Sequence, residues 1–226
     1  MKYFPAMCID NFYENPDSIR EFALSQPFYA AEDGAWPGKR TKELHEIDSK
    51  FFHDFCVKVF SIYYDFAFVD IEWTISTNFQ LIEPFSSDKN SLKNHGWIHV
   101  DDSTIFAGII YLNPTIDINC GTSLFKVINE EKMKNEQTTD KGQYYKYGVD
   151  KNYESEMLNH NQHFIETVRF NNVYNRLISF DGQTYHGANN FFTDKEPRLT
   201  QVFFVRSIKS KSKPPLQRFI RGQNVT

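Results

Sequence analysis

From Ala67 onward the chain breaks into short runs rich in β-branched and aromatic residues. They fall at 67–82, 97–101, 104–113, 122–128, 176–181 and 199–208, each bounded by turn-forming residues, and each predicts a strand. The run at 104–113 has no polar side. Ile105, Ala107, Ile109 and Tyr111 share one face, and Phe106, Gly108, Ile110 and Leu112 share the other. A strand apolar on both faces belongs inside a two-sheet sandwich with helical cover. Before Ala67 the period changes. Pro16-Asp17-Ser18, with Asn15 as N-cap, opens a helix carrying Ile19, Phe22, Ala23 and Leu24. Between Ser49 and Ile62, Phe52, Phe55, Cys56, Val59 and Phe60 recur at helical spacing. Residues 3–10 predict a short strand. The stretch 30–41, with Gly34, Trp36-Pro37-Gly38 and Lys39-Arg40, predicts a loop.

Many short strands beside a few helices predict a mainly β chain with flanking helices (α+β), built as a sandwich, barrel or jelly roll. No internal repeat or linker divides it, so residues 1–226 are expected to form a single domain. Residues 1–66 would be its helical N-terminal support and 67–208 its β core. Residues 126–175 would be an insertion in that core, and 209–226 a basic tail. Within the insertion, 129–143 is almost wholly polar and predicts an exposed loop. Residues 151–168 carry a weak helical pattern through Met157, Leu158, Phe164, Ile165 and Val168. The cations of the tail (Lys209, Lys211, Lys213, Arg218 and Arg221) read as a solvated run broken by Pro214-Pro215.

Composition narrows the partners. Aromatic residues make up 16% of the chain, as expected for a strand-rich globular fold rather than a disordered one. A net charge of −4 leaves no overall electrostatic footprint for nucleic acid. Cys8, Cys56 and Cys120 are odd in number and form no CxxC pair, which predicts reduced, buried thiols rather than disulfides or a thiolate zinc site. The acidic N-terminal stretch does not read as a signal peptide, and no apolar run reaches the ~18 residues of a membrane span. The expectation is a soluble cytoplasmic protein with no membrane partner and an open oligomeric state.

The chemistry gathers at His99-Val100-Asp101. On a strand, His99 and Asp101 point the same way, while Val100 and Asp102 point the other. His186 lies far downstream, after the apolar run Leu177-Ile178-Ser179-Phe180 and a turn at Asp181-Gly182. Gly187 follows it, and so small a residue lets backbone approach closely. Two imidazoles and a carboxylate are the ligand set of a facial-triad iron site. Arg198 and Thr200 then share a strand face. An inward guanidinium needs an anion, and a planar carboxylate fits its fork, with Thr200 adding a hydrogen bond. The alternative for Arg198 is an ion pair at the strand edge with Asp194 or Glu196. Tyr111, the only polar tip on its face, needs a partner for its hydroxyl if buried. His95 shares the strand face of His99 if the strand extends that far, and is kept as a neighbour of the site. His45, His53, His160 and His163 read as surface or packing histidines.

The order His99-Val100-Asp101, Tyr111-Leu112-Asn113, Gly121-Thr122-Ser123-Leu124-Phe125, His186, then Arg198 with Thr200 resembles the iron(II)- and 2-oxoglutarate-dependent dioxygenase superfamily, in particular its prolyl-4-hydroxylase-like branch. The resemblance covers about residues 70–206. Arg198 stands where prolyl hydroxylases often carry Lys, and the long insertion departs from the pattern. The resemblance implies a double-stranded β-helix, the jelly roll also found in cupins. It further implies Fe(II) held by His99, Asp101 and His186, with 2-oxoglutarate contacting Arg198, Tyr111 and Thr200. O₂ would be the oxidant, and a substrate C–H bond would be hydroxylated with release of succinate and CO₂. The substrate would be a peptidyl side chain, an amino acid or another small molecule. Its contacts are sought outside the core strands, in the 36–40 loop, Gln80, Trp97 and Tyr144, Tyr145 and Tyr147. Arg40, a cation with little packing reason to sit in a loop, is expected to meet an acidic substrate group. A 2-oxoglutarate-independent or non-enzymatic cupin-type metal-binding jelly roll is the alternative.

Overall fold

The computed structural model of the chain describes residues 2–32, 36–128 and 152–217. Its elements, in chain order, are β1 (Met7–Ile9), α1 (Pro16–Leu24), β2 (Tyr29–Ala30), β3 (Lys39–Arg40), α2 (Leu44–Ile47), α3 (Ser49–Ser61) and β4 (Ile71–Ile82). After these come β5 (Phe106–Tyr111), β6 (Thr122–Val127), α4 (Tyr153–Asn161), β7 (Phe164–Phe170), β8 (Leu177–Asp181), β9 (Tyr185–Ala188) and β10 (Arg198–Ser210). A seven-stranded sheet runs in the order β1-β8-β5-β10-β4-β3-β2, and a three-stranded sheet in the order β7-β6-β9. Every pairing is antiparallel. This mainly β, helix-flanked two-sheet architecture is the jelly roll that the sequence predicts.

Helix α1 starts where its cap dictates. The Asn15 side chain accepts from the Ser18 amide at 3.2 Å, and Pro16 occupies the first turn. Asp48 caps α3 in the same way, accepting from the Phe51 amide at 2.9 Å. The helices supply Ala23, Phe55, Cys56, Val59 and Phe60 to a core that also takes Phe106 and Ile110 from β5, Leu112 just beyond it, and Phe203 from β10. The opposite face of β5 gives Ala107 and Tyr111 to a second cluster with Leu124, Ile178 and Phe180. The strand is thus apolar on both sides because one side meets the helices and the other meets the small sheet.

Several local expectations are corrected. The stretch 97–101 is not a strand: only His99 pairs, through one antiparallel bridge to His186. The loop expected at 30–41 holds the short strands β2 and β3, which extend the large sheet beyond β4. Residues 1–66 are therefore more than helical support, since β1 forms one edge of that sheet and β2 the other. The weak helical pattern at 151–168 divides. Met157 and Leu158 lie in α4, whereas Phe164, Ile165 and Val168 lie in β7, which pairs along β6. Part of the supposed insertion is consequently sheet. Residues 129–151, with Tyr144, Tyr145 and Tyr147, and residues 218–226, with Arg218 and Arg221, lie outside the described residues. Cys56 and Cys120 are buried, but Cys8 is exposed, and all three are free thiols. Among the described residues no helix is long and apolar enough to cross a membrane.

The face of the large sheet turned to the small one forms the floor of a cavity of about 490 Å³. Register decides which side chains reach it. Arg40 pairs with Gln80, Gln80 with Thr200, and Thr200 with Tyr111, so four residues from four strands stand in one row. Arg198 and Ile82 form the adjacent same-face row. Further along β10 the same alternation adds Val202, Phe204 and Arg206 to the cavity wall.

Candidate metal centre

His99 and His186 exchange both backbone hydrogen bonds, His99 N to His186 O at 2.9 Å and His186 N to His99 O at 2.8 Å. Directly opposed residues of an antiparallel pair present side chains on the same side, so this one bridge sets the two rings together, centroids 4.4 Å apart. The Asp101 amide donates to Gly182 O at 3.1 Å, which fixes the carboxylate beside them. Gly187 permits the approach of the two segments: a Cβ there would sit 3.2 Å from Trp97 O.

The ring tautomers follow from the acceptors. His99 Nδ1 lies 2.7 Å from Trp97 O, and His186 Nδ1 lies 3.0 Å from Thr184 O. A carbonyl can only accept, so each Nδ1 carries the proton and each Nε2 keeps its lone pair. Both Nε2 atoms face Asp101, at 3.7 Å from Oδ1 and 3.6 Å from Oδ2. Asp101 Oδ2 is buried with no hydrogen-bond partner among the described residues. Two lone pairs aimed at an unpartnered carboxylate repel one another unless a cation lies between them. The three ligand atoms all lie within 4.8 Å of one another, somewhat more open than the ~3 Å between neighbouring donors around an octahedral ion with bonds near 2.1 Å. The set could hold a divalent metal, and all three residues line the cavity.

Across the same cavity Arg198 is 2% exposed. Its Nε donates to Cys120 O at 3.1 Å, its guanidinium lies 5.4 Å from the centre of the Tyr111 ring, and its Nη2 is buried without a hydrogen-bond partner among the described residues. Burial lowers its pKa, with the Tyr111 hydroxyl acting in the opposite direction. The ion-pair alternative is excluded for Glu196, which instead takes Arg20 at 2.5 Å. Thr200 is fully buried, and its Oγ1 also lacks a partner. Tyr111 donates its hydroxyl to Thr122 Oγ1 at 2.9 Å, and burial pushes its pKa up. Arg198 lines the cavity whose wall also holds the His-Asp-His cluster, and Thr200 stands two residues along on the same strand face; together this charged donor and hydroxyl suit a small dicarboxylate. Asn113 holds the strand start that carries Arg198: its Oδ1 accepts from Leu199 N at 2.6 Å, and its Nδ2 donates to Pro197 O at 3.0 Å.

Of the residues expected to meet a substrate, Arg40 and Trp97 line the cavity. Trp97 is mostly packed, against Tyr153 at 5.8 Å and His160 at 5.3 Å. Gln80 also lines it, but its amide donates to Pro37 O at 2.8 Å, so it holds the 36–38 turn. His95 is absent from the cavity wall; burial lowers its pKa, and its carbonyl accepts from Tyr153 Oη at 2.8 Å. Sequence reasoning missed the role of α4. Besides that Tyr153 bond, His160 Nε2 lies 2.7 Å from Ile98 O, so the helix grips the backbone on both sides of Trp97, just before the first ligand. It also missed Arg206 and Phe204, although extending the alternation from Arg198 would have found them.

A model of the family of unknown function DUF6445 matches residues 2–190. No curated protein matches the chain. Among solved structures, HygX from Streptomyces hygroscopicus, with nickel and 2-oxoglutarate bound, is 10% identical. The match covers 89% of this chain and 83% of that one, with a TM-score of 0.50. EvdO2 from Micromonospora carbonacea var. aurantiaca, complexed with 2-oxoglutarate, is 11% identical over 94% of this chain and 90% of its own, with a TM-score of 0.51. A further EvdO2 structure gives 9% identity over the same shares and a TM-score of 0.54. Likeness at such identities is likeness of fold: the chain shares the fold of HygX and EvdO2.

Proposed function

We propose that the chain, which belongs to the family of unknown function DUF6445, is an iron(II)- and 2-oxoglutarate-dependent oxygenase that hydroxylates a small molecule or a peptidyl side chain. One observation carries the reading. A single cavity joins a His-Asp-His cluster to Arg198, and Asp101 Oδ2, Arg198 Nη2 and the Oγ1 of neighbouring Thr200 have no hydrogen-bond partner among the described residues. The metal and the oxoacid would each satisfy one of these groups of atoms. HygX and EvdO2, which share the fold, hold 2-oxoglutarate in their structures, and HygX holds nickel as well.

In this reading His99, Asp101 and His186 bind the metal, and the Trp97 and Thr184 carbonyls keep both imidazoles in the tautomer that ligation needs. Arg198 and Thr200 bind the distal carboxylate of 2-oxoglutarate, while the hydroxyl of Tyr111 braces Thr122 beside it. Iron(II) with 2-oxoglutarate supplies dioxygen-driven oxidation of a substrate C–H bond, yielding succinate and CO₂. Apolar walls from Ile109, Phe180 and Phe191 exclude water around the reacting centre. A cupin-type metal protein without the oxoacid would leave Arg198 and Thr200 buried and unused.

The test is succinate formation from 2-oxoglutarate with Fe(II) and O₂, alongside calorimetric 2-oxoglutarate binding to the Mn(II)-loaded protein without O₂. The wild-type chain is expected to do both, and Asp101→Ala neither. Metal binding without any affinity for 2-oxoglutarate would refute the reading in favour of the cupin-type alternative.

A further inference from the structure

Three arginines line the cavity: Arg198, Arg206, whose Nη1 donates to Asp102 O and Thr104 Oγ1, and Arg40, which the site built so far does not use. Its guanidinium carbon lies 4.7 Å from the centre of the Trp36 ring and 5.3 Å from that of Phe204. Those rings offer π faces but no lone pair, so they hold the cation without satisfying its N–H groups. Its Nε is buried with no hydrogen-bond partner among the described residues. Asp101 and Glu43 are the acids that act on it through space. Glu43, however, already accepts from Ser76 Oγ at 2.5 Å and from the Thr77 amide at 2.8 Å, while Asp101 faces the two histidines. Burial lowers the Arg40 pKa to about 10, so the side chain remains charged at neutral pH without a committed counter-ion.

The segment that presents Arg40 is fixed. Gln80 holds Pro37 O, and Gly38 adopts φ +70 with its Cα so near Leu81 O that a Cβ would fall 2.3 Å away. Sheet register then sets the spacing. Arg40 is two strands from Thr200, or roughly 10 Å at the usual ~4.8 Å per strand, and on the same face. Arg40 and Arg198 therefore approach the cavity from different places, and an anion on one leaves the other open.

We propose that Arg40 is the recognition site for a carboxylate on the substrate that is oxidised, making this an oxygenase of carboxylate-bearing molecules. A planar fork already packed on aromatic rings loses little freedom on pairing with a planar carboxylate, and it gains the partner its surroundings lack. Gln80 is a positioning residue for it, acting through Pro37. The proposal rests on the oxygenase reading for what is done to the ligand, but its test does not need turnover.

The experiment is anaerobic calorimetry on the Mn(II)-loaded protein saturated with 2-oxoglutarate, titrated with benzoate, benzamide and phenyl phosphate. Benzoate is expected to bind at least tenfold more tightly than either of the others. Arg40→Gln should erase that preference, and Arg40→Lys should keep part of it, because charge is retained and the fork is lost. Equal binding of benzoate and benzamide, tighter binding of phenyl phosphate, or an undiminished preference in Arg40→Gln would overturn the proposal. Absence of 2-oxoglutarate binding in the first step would instead refute the oxygenase reading, so the two failures are distinguishable.

Discussion

Replacing Arg198 by Met separates a ligand-binding arginine from a structural one, because the two roles predict opposite changes. In the free protein the substitution removes a buried cation whose Nη2 has no partner. It also removes the Nε bond to Cys120 O, but that carbonyl keeps Asn172 Nδ2 at 3.3 Å. The losses are therefore about 1 kcal/mol for the bond and about 1 kcal/mol for the packing on Tyr111, against relief of an unpaired buried charge costing several kcal/mol. The unfolding midpoint should stay level or rise. With ligand the sign reverses. For the wild-type chain, 2-oxoglutarate at about 100 times its dissociation constant adds about 2.7 kcal/mol, or ~5–10 °C for a domain of this size. Losing two charge-assisted hydrogen bonds weakens binding by at least about 3 kcal/mol, which is more than a hundredfold. At the same concentration the variant would be less than half occupied, and its shift would shrink to roughly 1 °C. Thermal unfolding of the Mn(II)-loaded chain without O₂, with and without 2-oxoglutarate, reads both numbers. A variant that melts many degrees lower yet keeps the full ligand shift would refute the assignment.

Two further outcomes test the surroundings. His160→Ala removes the contact to Ile98 O beside the first ligand and is expected to weaken Mn(II) binding about tenfold, with about 1 kcal/mol lost in urea unfolding; unchanged metal affinity would make α4 mere cover. Burial pushes the Tyr63 phenol up to about 12, so the folded chain keeps that proton longer than the unfolded chain, whose tyrosines titrate near 10. Its contribution, about 2–3 kcal/mol, is complete below pH 10 and lost as pH rises towards 12. Urea unfolding at pH 9, 10 and 11 should show the decline, and Tyr63→Phe should make it shallower by one group's share, the rest coming from other buried groups such as Tyr111 and Cys56.

What could be read in the sequence was whatever depends on neighbours along the chain. The cap of α1, the helical spacing of α3, the two-faced β5 and the shared face of Arg198 and Thr200 all follow from spacing alone. The resemblance supplied the remaining step, that His186 belongs with His99. The errors occur where partners decide. Residues 97–101 lack the strand they were expected to form, yet His99 and Asp101 still converge, because one bridge to His186 and one amide bond to Gly182 O replace a whole ladder. Phe164, Ile165 and Val168 satisfy a helical period on paper, but the exposed edge of β6 offered them more backbone bonds as a strand. Gln80 shows the same limit from the other direction: a polar side chain on a cavity face looked like a substrate contact until Pro37 O claimed its amide. Arg40 presents the converse arrangement: its neighbours are rings rather than acceptors, and its Nε has no hydrogen-bond partner among the described residues. The proposal that a substrate carboxylate pairs with it therefore rests on what folding leaves unsatisfied rather than on its place along the chain.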